Sequence, residues 1–165
     1  MEGITLANSP AHSLTLNHYY DPENPTDTKW VKIMTWRANG DGIDPRPNGL
    51  IEDCFIRTQD DASYVTGRGI KRVVIWKDSN GSSFKLSHIG TPVLNNHPLI
   101  IEDCTVVYSR SHYHYSAGNS VFNMNMKGGG SGGYTIIFRN IIVEDPRPTL
   151  QHFKIFMKGL DIFKK

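Results

Sequence analysis

The tetrapeptide Ile51-Glu52-Asp53-Cys54 returns as Ile101-Glu102-Asp103-Cys104, and that recurrence decides how the chain is built. Related segments lie between and beyond the two copies: Ile70-Lys71-Arg72-Val73-Val74-Ile75-Trp76 and Phe138-Arg139-Asn140-Ile141-Ile142-Val143. His12-Ser13-Leu14-Thr15-Leu16 and Val31-Lys32-Ile33-Met34-Thr35-Trp36 read as earlier members. The period is roughly 20 to 30 residues with longer excursions, the spacing of stacked repeats. Each segment is short and β-branched or aromatic, with Gly, Asn, Asp, Pro and Ser between. No window sustains an apolar period near 3.6, so the elements are strands and turns with almost no helix. A sandwich or barrel would use hairpins. Here the same pattern returns after a whole circuit, which implies like strands stacked in parallel, an all-β parallel β-helix of about six or seven coils.

Stacking carries a geometric consequence, since neighbouring strands lie about 4.8 Å apart. Cys54 and Cys104 take the same place two coils apart with Val73 between them, so about 9 to 10 Å separates them. A disulfide needs Cα atoms about 4.4 to 6.8 Å apart. Both are expected as free thiols in one interior column.

The 165 residues suit a single domain spanning 1–165 with one core. A net charge of +2 with scattered basic residues gives no nucleic-acid or membrane surface, and the partner expected is uncharged. No apolar run approaches the roughly 20 residues that span a bilayer, and no signal peptide is visible at the start. Two cysteines without zinc spacing are read as core residues. The segment Lys127-Gly128-Gly129-Gly130-Ser131-Gly132-Gly133 reads as a surface loop between two rungs. Rung-like sequence at both ends suggests a segment of a longer protein, or one that leans on a partner to cover its end strands.

Chemistry concentrates in NGDGIDPRPNGLIEDCFIRTQDD, residues 39–61, which places Asp41 after one rung and the pair Asp60 and Asp61 after the next. Equivalent positions on adjacent coils stack, so the three carboxylates share one face, and like charges held close raise at least one pKa. Inverting hydrolysis of a glycosidic bond needs a protonated carboxyl for the leaving oxygen and a carboxylate that activates water, about 6.5 to 9.5 Å apart.

A single Asp in an Asn-x-Asp turn followed by Asp-Asp about one coil later resembles the clan that contains the polygalacturonases and glycoside hydrolase family 49. The 19-residue interval, with Val74-Ile75-Trp76-Lys77-Asp78 and Ser83-Phe84 beyond it, is more similar to family 49, the dextranases and isopullulanases. The likeness runs over residues 8 to 152 and most strongly over 36 to 90. It implies a right-handed, single-stranded parallel β-helix of the pectin lyase-like type and inverting endo-hydrolysis of an α-glucan such as dextran or pullulan. Residue by residue, Asp60 matches the proton donor, and Asp41 and Asp61 match the carboxylates that activate water. The Gly-His-Gly and Arg-Ile-Lys motifs of polygalacturonases are absent, which favours a neutral sugar over pectate. Members of family 49 also carry a β-sandwich domain and further coils, and the resemblance implies a secreted, extracellular enzyme without metal or cofactor.

Around this face, Trp36 and Trp76 either stack on sugar rings or pack in the core. Lys85 and His88 either hydrogen-bond sugar hydroxyls and bias the acid, or are solvated turn residues. His112 and His114 point the same way on a strand; with no third ligand in view, they are expected to line a sugar groove rather than hold a metal. Asp44 and Asp78 read as turn formers. The rival readings are a noncatalytic carbohydrate-binding or structural β-helix, whose aspartates only shape turns, and a pectinase-like hydrolase or lyase, the lyase requiring calcium ligands or a cationic base.

Overall fold

A computed structural model describes residues 1–16, 27–45, 49–65, 68–86, 98–109, 120–125, 135–144 and 153–156. Among them lie fifteen strands and no helix, and every strand pairing is parallel. The strands form three ladders. The first contains β3 (Thr28–Lys29), β6 (Leu50–Glu52), β9 (Gly69–Lys71) and the first halves of the longer β12 (Leu99–Ser109) and β14 (Ile136–Val143). The second contains β1 (Thr5–Ala7), β4 (Lys32–Met34), β7 (Phe55–Thr58), β10 (Val74–Lys77) and the second halves of β12 and β14. The third contains β2 (Leu14–Thr15), β5 (Ile43–Asp44), β8 (Ser63–Tyr64), β11 (Phe84–Lys85), β13 (Phe122–Asn125) and β15 (Phe153–Phe156). Because β12 runs through the corner, the first two ladders join as a nine-stranded sheet, and the third is a six-stranded sheet.

Alternation within each strand sends one row inward, and like residues meet there across circuits. Ile51, Ile70 and Ile101 are register partners in the first ladder; Ile33, Ile56, Ile75 and Val106 are partners in the second, and all are buried. In the third ladder Phe84 stacks on Phe122 with ring centroids 4.9 Å apart. Each such aliphatic or aromatic side chain contributes about 1.5–3 kcal/mol by leaving water.

The corner between the first two ladders explains why IEDC repeats. Gly3, Trp30, Asp53, Arg72, Asp103 and Asn140 all adopt left-handed backbone there, with φ between 49° and 68°. That bend turns the following residue inward, producing the column Ile4, Val31, Cys54, Val73, Cys104 and Ile141. Backbone bonds hold it in order: Lys32 N to Ile4 O, Phe55 N to Val31 O, Val74 N to Cys54 O and Thr105 N to Val73 O, with Cys104 opposite Ile141. The two cysteines are free, buried and separated by Val73 as the repeat implies. Burial pushes the Cys104 thiol up to about 11.

Outside the same corner, charge alternates from circuit to circuit. Glu2, Lys29, Glu52, Lys71, Glu102 and Arg139 are successive register partners. Lys29–Glu52 at 3.5 Å, Lys71–Glu102 at 3.1 Å and Arg139–Glu102 at 2.7 Å are ion pairs along that row. One position on, Arg72 grips Asp53 through Nε and Nη2 at 2.6 and 2.8 Å, and Asn140 donates to Asp103 at 2.8 Å.

Candidate active site

The bend between the second and third ladders carries the aspartates. Gly42 N donates to Asp61 O at 2.9 Å, Ile43 N donates to Ala62 O at 3.0 Å, and Ile43 is the partner of Ser63. Counting back along that register sets Asp41 against Asp61 on adjacent circuits, with Asp60 beside them. Gly42 permits this approach, because a Cβ there would lie 2.2 Å from the Ala62 carbonyl oxygen.

All three side chains are buried, Asp41 and Asp60 being 6% exposed and Asp61 4%. One oxygen from each lies within 4.8 Å of the other two. Burial, reinforced by the charges of Asp61 and Asp60 and opposed by a hydrogen bond from Tyr64, raises the Asp41 carboxyl from 3.8 to about 6. Burial and then the charge of Asp61 raise Asp60 as well.

The partners divide the three carboxyls. Tyr64 Oη donates to Asp41 Oδ2 at 2.8 Å and lies 3.4 Å from Asp61 Oδ2. His12 Nδ1 is 3.0 Å from the same Asp41 oxygen. The Lys85 ammonium pairs with Asp61 Oδ2 and sits 5.0 Å above the Tyr64 ring. Asp60 accepts from two nitrogens, the Asp61 backbone at 2.8 Å on Oδ1 and Asn80 Nδ2 at 2.7 Å on Oδ2. Three oxygens this close have the reach to share a hard cation, and the Lys85 ammonium pairs with one oxygen of Asp61.

Asn80 belongs to the next circuit, whose 78–82 turn cradles the pair. Ser82 N donates to Asp61 Oδ1 at 2.7 Å. Gly81, at φ +68°, lies so close that a Cβ would meet Asp60 Oδ1 at 2.4 Å and Asp61 N at 2.5 Å, so only glycine fits. No family model, curated protein or solved structure matches this chain.

The structure therefore brings Asp41, Asp60, Asp61 and Lys85 together. One oxygen of each acid lies this near the others because Asp41 and Asp61 occupy matching register positions. Trp36 and Trp76 are exposed on the outer face of the second ladder, not in the core, and they are not bare platforms. The Arg57 guanidinium lies 5.0 Å from each indole ring, Trp76 also meets Tyr108 at 5.8 Å, and Asp78 accepts from Arg57, Gln59 and Trp76. Sugar can stack only on what this ladder leaves open. Asp78 thus binds side chains across circuits instead of merely shaping a turn. His88, His112, His114 and the 127–133 segment lie outside the described residues.

Sequence reading missed Tyr64, His12, Asn80 and Gly81. A signal existed for Tyr64: it follows the inward Ser63 as Lys85 follows the inward Phe84, so both project outward as register partners.

Proposed function

We propose that the chain is an inverting glycoside hydrolase of neutral polysaccharides, acting on an α-glucan such as dextran or pullulan. In this reading the parallel ladders wind as a right-handed parallel β-helix similar to that of glycoside hydrolase family 49, the hand that parallel crossovers overwhelmingly take. Asp60 gives its proton to the leaving oxygen, Asp41 and Asp61 orient and activate the attacking water, and the enzyme acts outside the cell.

The observation that carries the proposal is the convergence of three buried carboxyls from two successive circuits, two of them raised by burial and mutual repulsion. Groups so coupled titrate as a unit and retain a shared proton in mildly acidic solution, which is the state an acid catalyst needs. Lys85 and Tyr64 neutralise and orient Asp61 and Asp41, as suits groups that act on water. Among the described residues the surroundings offer no cluster of cations arranged for a uronate, which supports a neutral sugar.

A second reading, a noncatalytic carbohydrate-binding or structural β-helix, has its own support. The oxygens are tight, and both oxygens of Asp60 already accept N–H donors. One experiment separates the two. The protein is incubated with dextran, pullulan and polygalacturonate, reducing ends are measured, and the first anomer released is followed by proton NMR. Release of the β-anomer from an α-glucan supports the proposal; the α-anomer excludes inversion, and no release from any of the three favours the noncatalytic reading.

A further inference from the structure

Among the largest side chains sealed inside the protein is a lysine. Lys77 is 0% exposed, and it lines an interior polar row with Thr58 and Ser109, its register partners on either side. A buried ammonium is costly unless fixed acceptors hold it, so a lysine in that row needs a local reason. Its Nζ donates to the backbone carbonyl of Asn80 at 3.1 Å. Asn80 is the residue whose side chain donates to Asp60 Oδ2 at 2.7 Å. The other face of the same turn places Gly81 against Asp60 and Asp61 and the Ser82 amide on Asp61. From below, Thr58 Oγ1 donates to the Asp60 carbonyl at 2.9 Å. The acid pair is thus held between an interior row and a turn, and Lys77 ties the two.

We propose that Lys77 is a positioning residue for Asp60, acting from the interior by fixing the Asn80 turn whose side chain holds the carboxyl. The role deepens the hydrolase reading and, for its catalytic consequence, rests on it. Among the described residues, the charged groups around Asp60 are Asp61, Asp41 and Lys85, with Asn80 as a neutral donor. Asn80 holds the Asp60 carboxyl down against burial and Asp61. Loosening that donor therefore moves Asp60 in one direction: it titrates at higher pH.

The test replaces Lys77 by methionine, which keeps most of the stem and removes charge and donors. Asp60 is followed by carboxyl-carbon NMR across pH, and the Asn80 side-chain amide is followed in the same samples. The expected result is a folded protein in which the Asn80 amide signal moves and Asp60 titrates at higher pH. Asn80→Ala should reproduce the Asp60 shift, and the double variant should add little to either single one. If the hydrolase reading holds, kcat on the glucan falls roughly 10- to 100-fold with KM little changed, the size expected when a reacting group is misplaced. A folded Lys77→Met with unmoved Asn80 and Asp60 signals overturns the proposal. If Lys77→Met does not fold, the wild type decides: the Lys77 ¹⁵Nζ signal should respond as Asp60 titrates, and a flat signal overturns the proposal. These NMR outcomes do not depend on activity, so absence of glucan hydrolysis removes the hydrolase reading without touching this link.

Discussion

Asp53 and Asp60 belong to the same circuit and are both aspartates at bends, yet they experience opposite electrostatics. At the first bend Asp53 is half-buried and gripped by Arg72, whose hydrogen bonds hold its carboxyl below the usual range; Glu102 on that edge is lowered likewise by Lys71. At the second bend Asp60 shares a buried space with Asp41 and Asp61, and burial lifts it. Every circuit of the first bend supplies an opposite charge or an amide to its neighbour; the second bend stacks acid on acid. The first arrangement sets no like charges against one another. The second opposes folding, and such a site persists where a function requires it.

The largest expected effect falls on activity. Asp60→Asn keeps the shape but cannot donate a proton, so hydrolysis of the glucan should fall by roughly 10²- to 10⁴-fold, while Asp53→Asn leaves it unchanged. Reducing-end assays on both variants check this, and equal losses would erase the distinction between the two bends. Next comes stability. Asp41 is raised from 3.8 to about 6 in the folded state, so the folded protein binds the proton more tightly and gains stability as pH falls through 6 toward 4. Asp41→Asn removes the penalty of ionisation. It should stabilise by up to about 3 kcal/mol at pH 7 and by nothing below pH 4, as read from urea midpoints across pH. A variant less stable than wild type at pH 7 would show that Tyr64 and His12 outweigh burial there.

Gly81→Ala should cost about 2 kcal/mol or more, from the left-handed backbone and from collision with the acid pair; a denaturation midpoint within error of wild type would mean the cradle gives way easily. The smallest effect lies at the other bend. Trp30 holds a left-handed conformation with its side chain 61% exposed, so Trp30→Asn should stabilise by about 1 kcal/mol, measured the same way. Loss of stability instead would reveal packing by the indole that outweighs backbone strain.

The sequence made the first two ladders legible because their inward rows repeat in kind, isoleucine upon isoleucine, and because IEDC spells strand, bend and inward cysteine twice. The aspartates were legible from their order, each following its rung before the next strand, although Asp41 lies seven residues past Met34 and Asp61 only four past its partner Arg57. The supporting residues were not. Four strands of the third ladder, Leu14–Thr15, Ile43–Asp44, Ser63–Tyr64 and Phe84–Lys85, are two residues long, too short for a period of two to declare itself. Tyr64 reaches the cluster only through that register, as does Lys85, which the sequence offered without its partner; His12 and Asn80 reach it by contacts between circuits, and Lys77 by its bond to the Asn80 carbonyl in its own circuit. Arg57 between two indoles was equally hidden, since Trp36 lies beyond the end of β4 and nothing local places its ring.

The alternating row from Glu2 to Arg139 gives the chain a parity. Successive partners change sign at every step, so removing residues 50–68 would bring Lys29 beside Lys71, like against like, which is destabilising in a paired sheet. Removing residues 50–99 would bring Lys29 beside Glu102 and restore the match. Whole circuits can therefore be gained or lost in twos far more readily than singly, and a strand that skips one neighbour during folding meets its own charge.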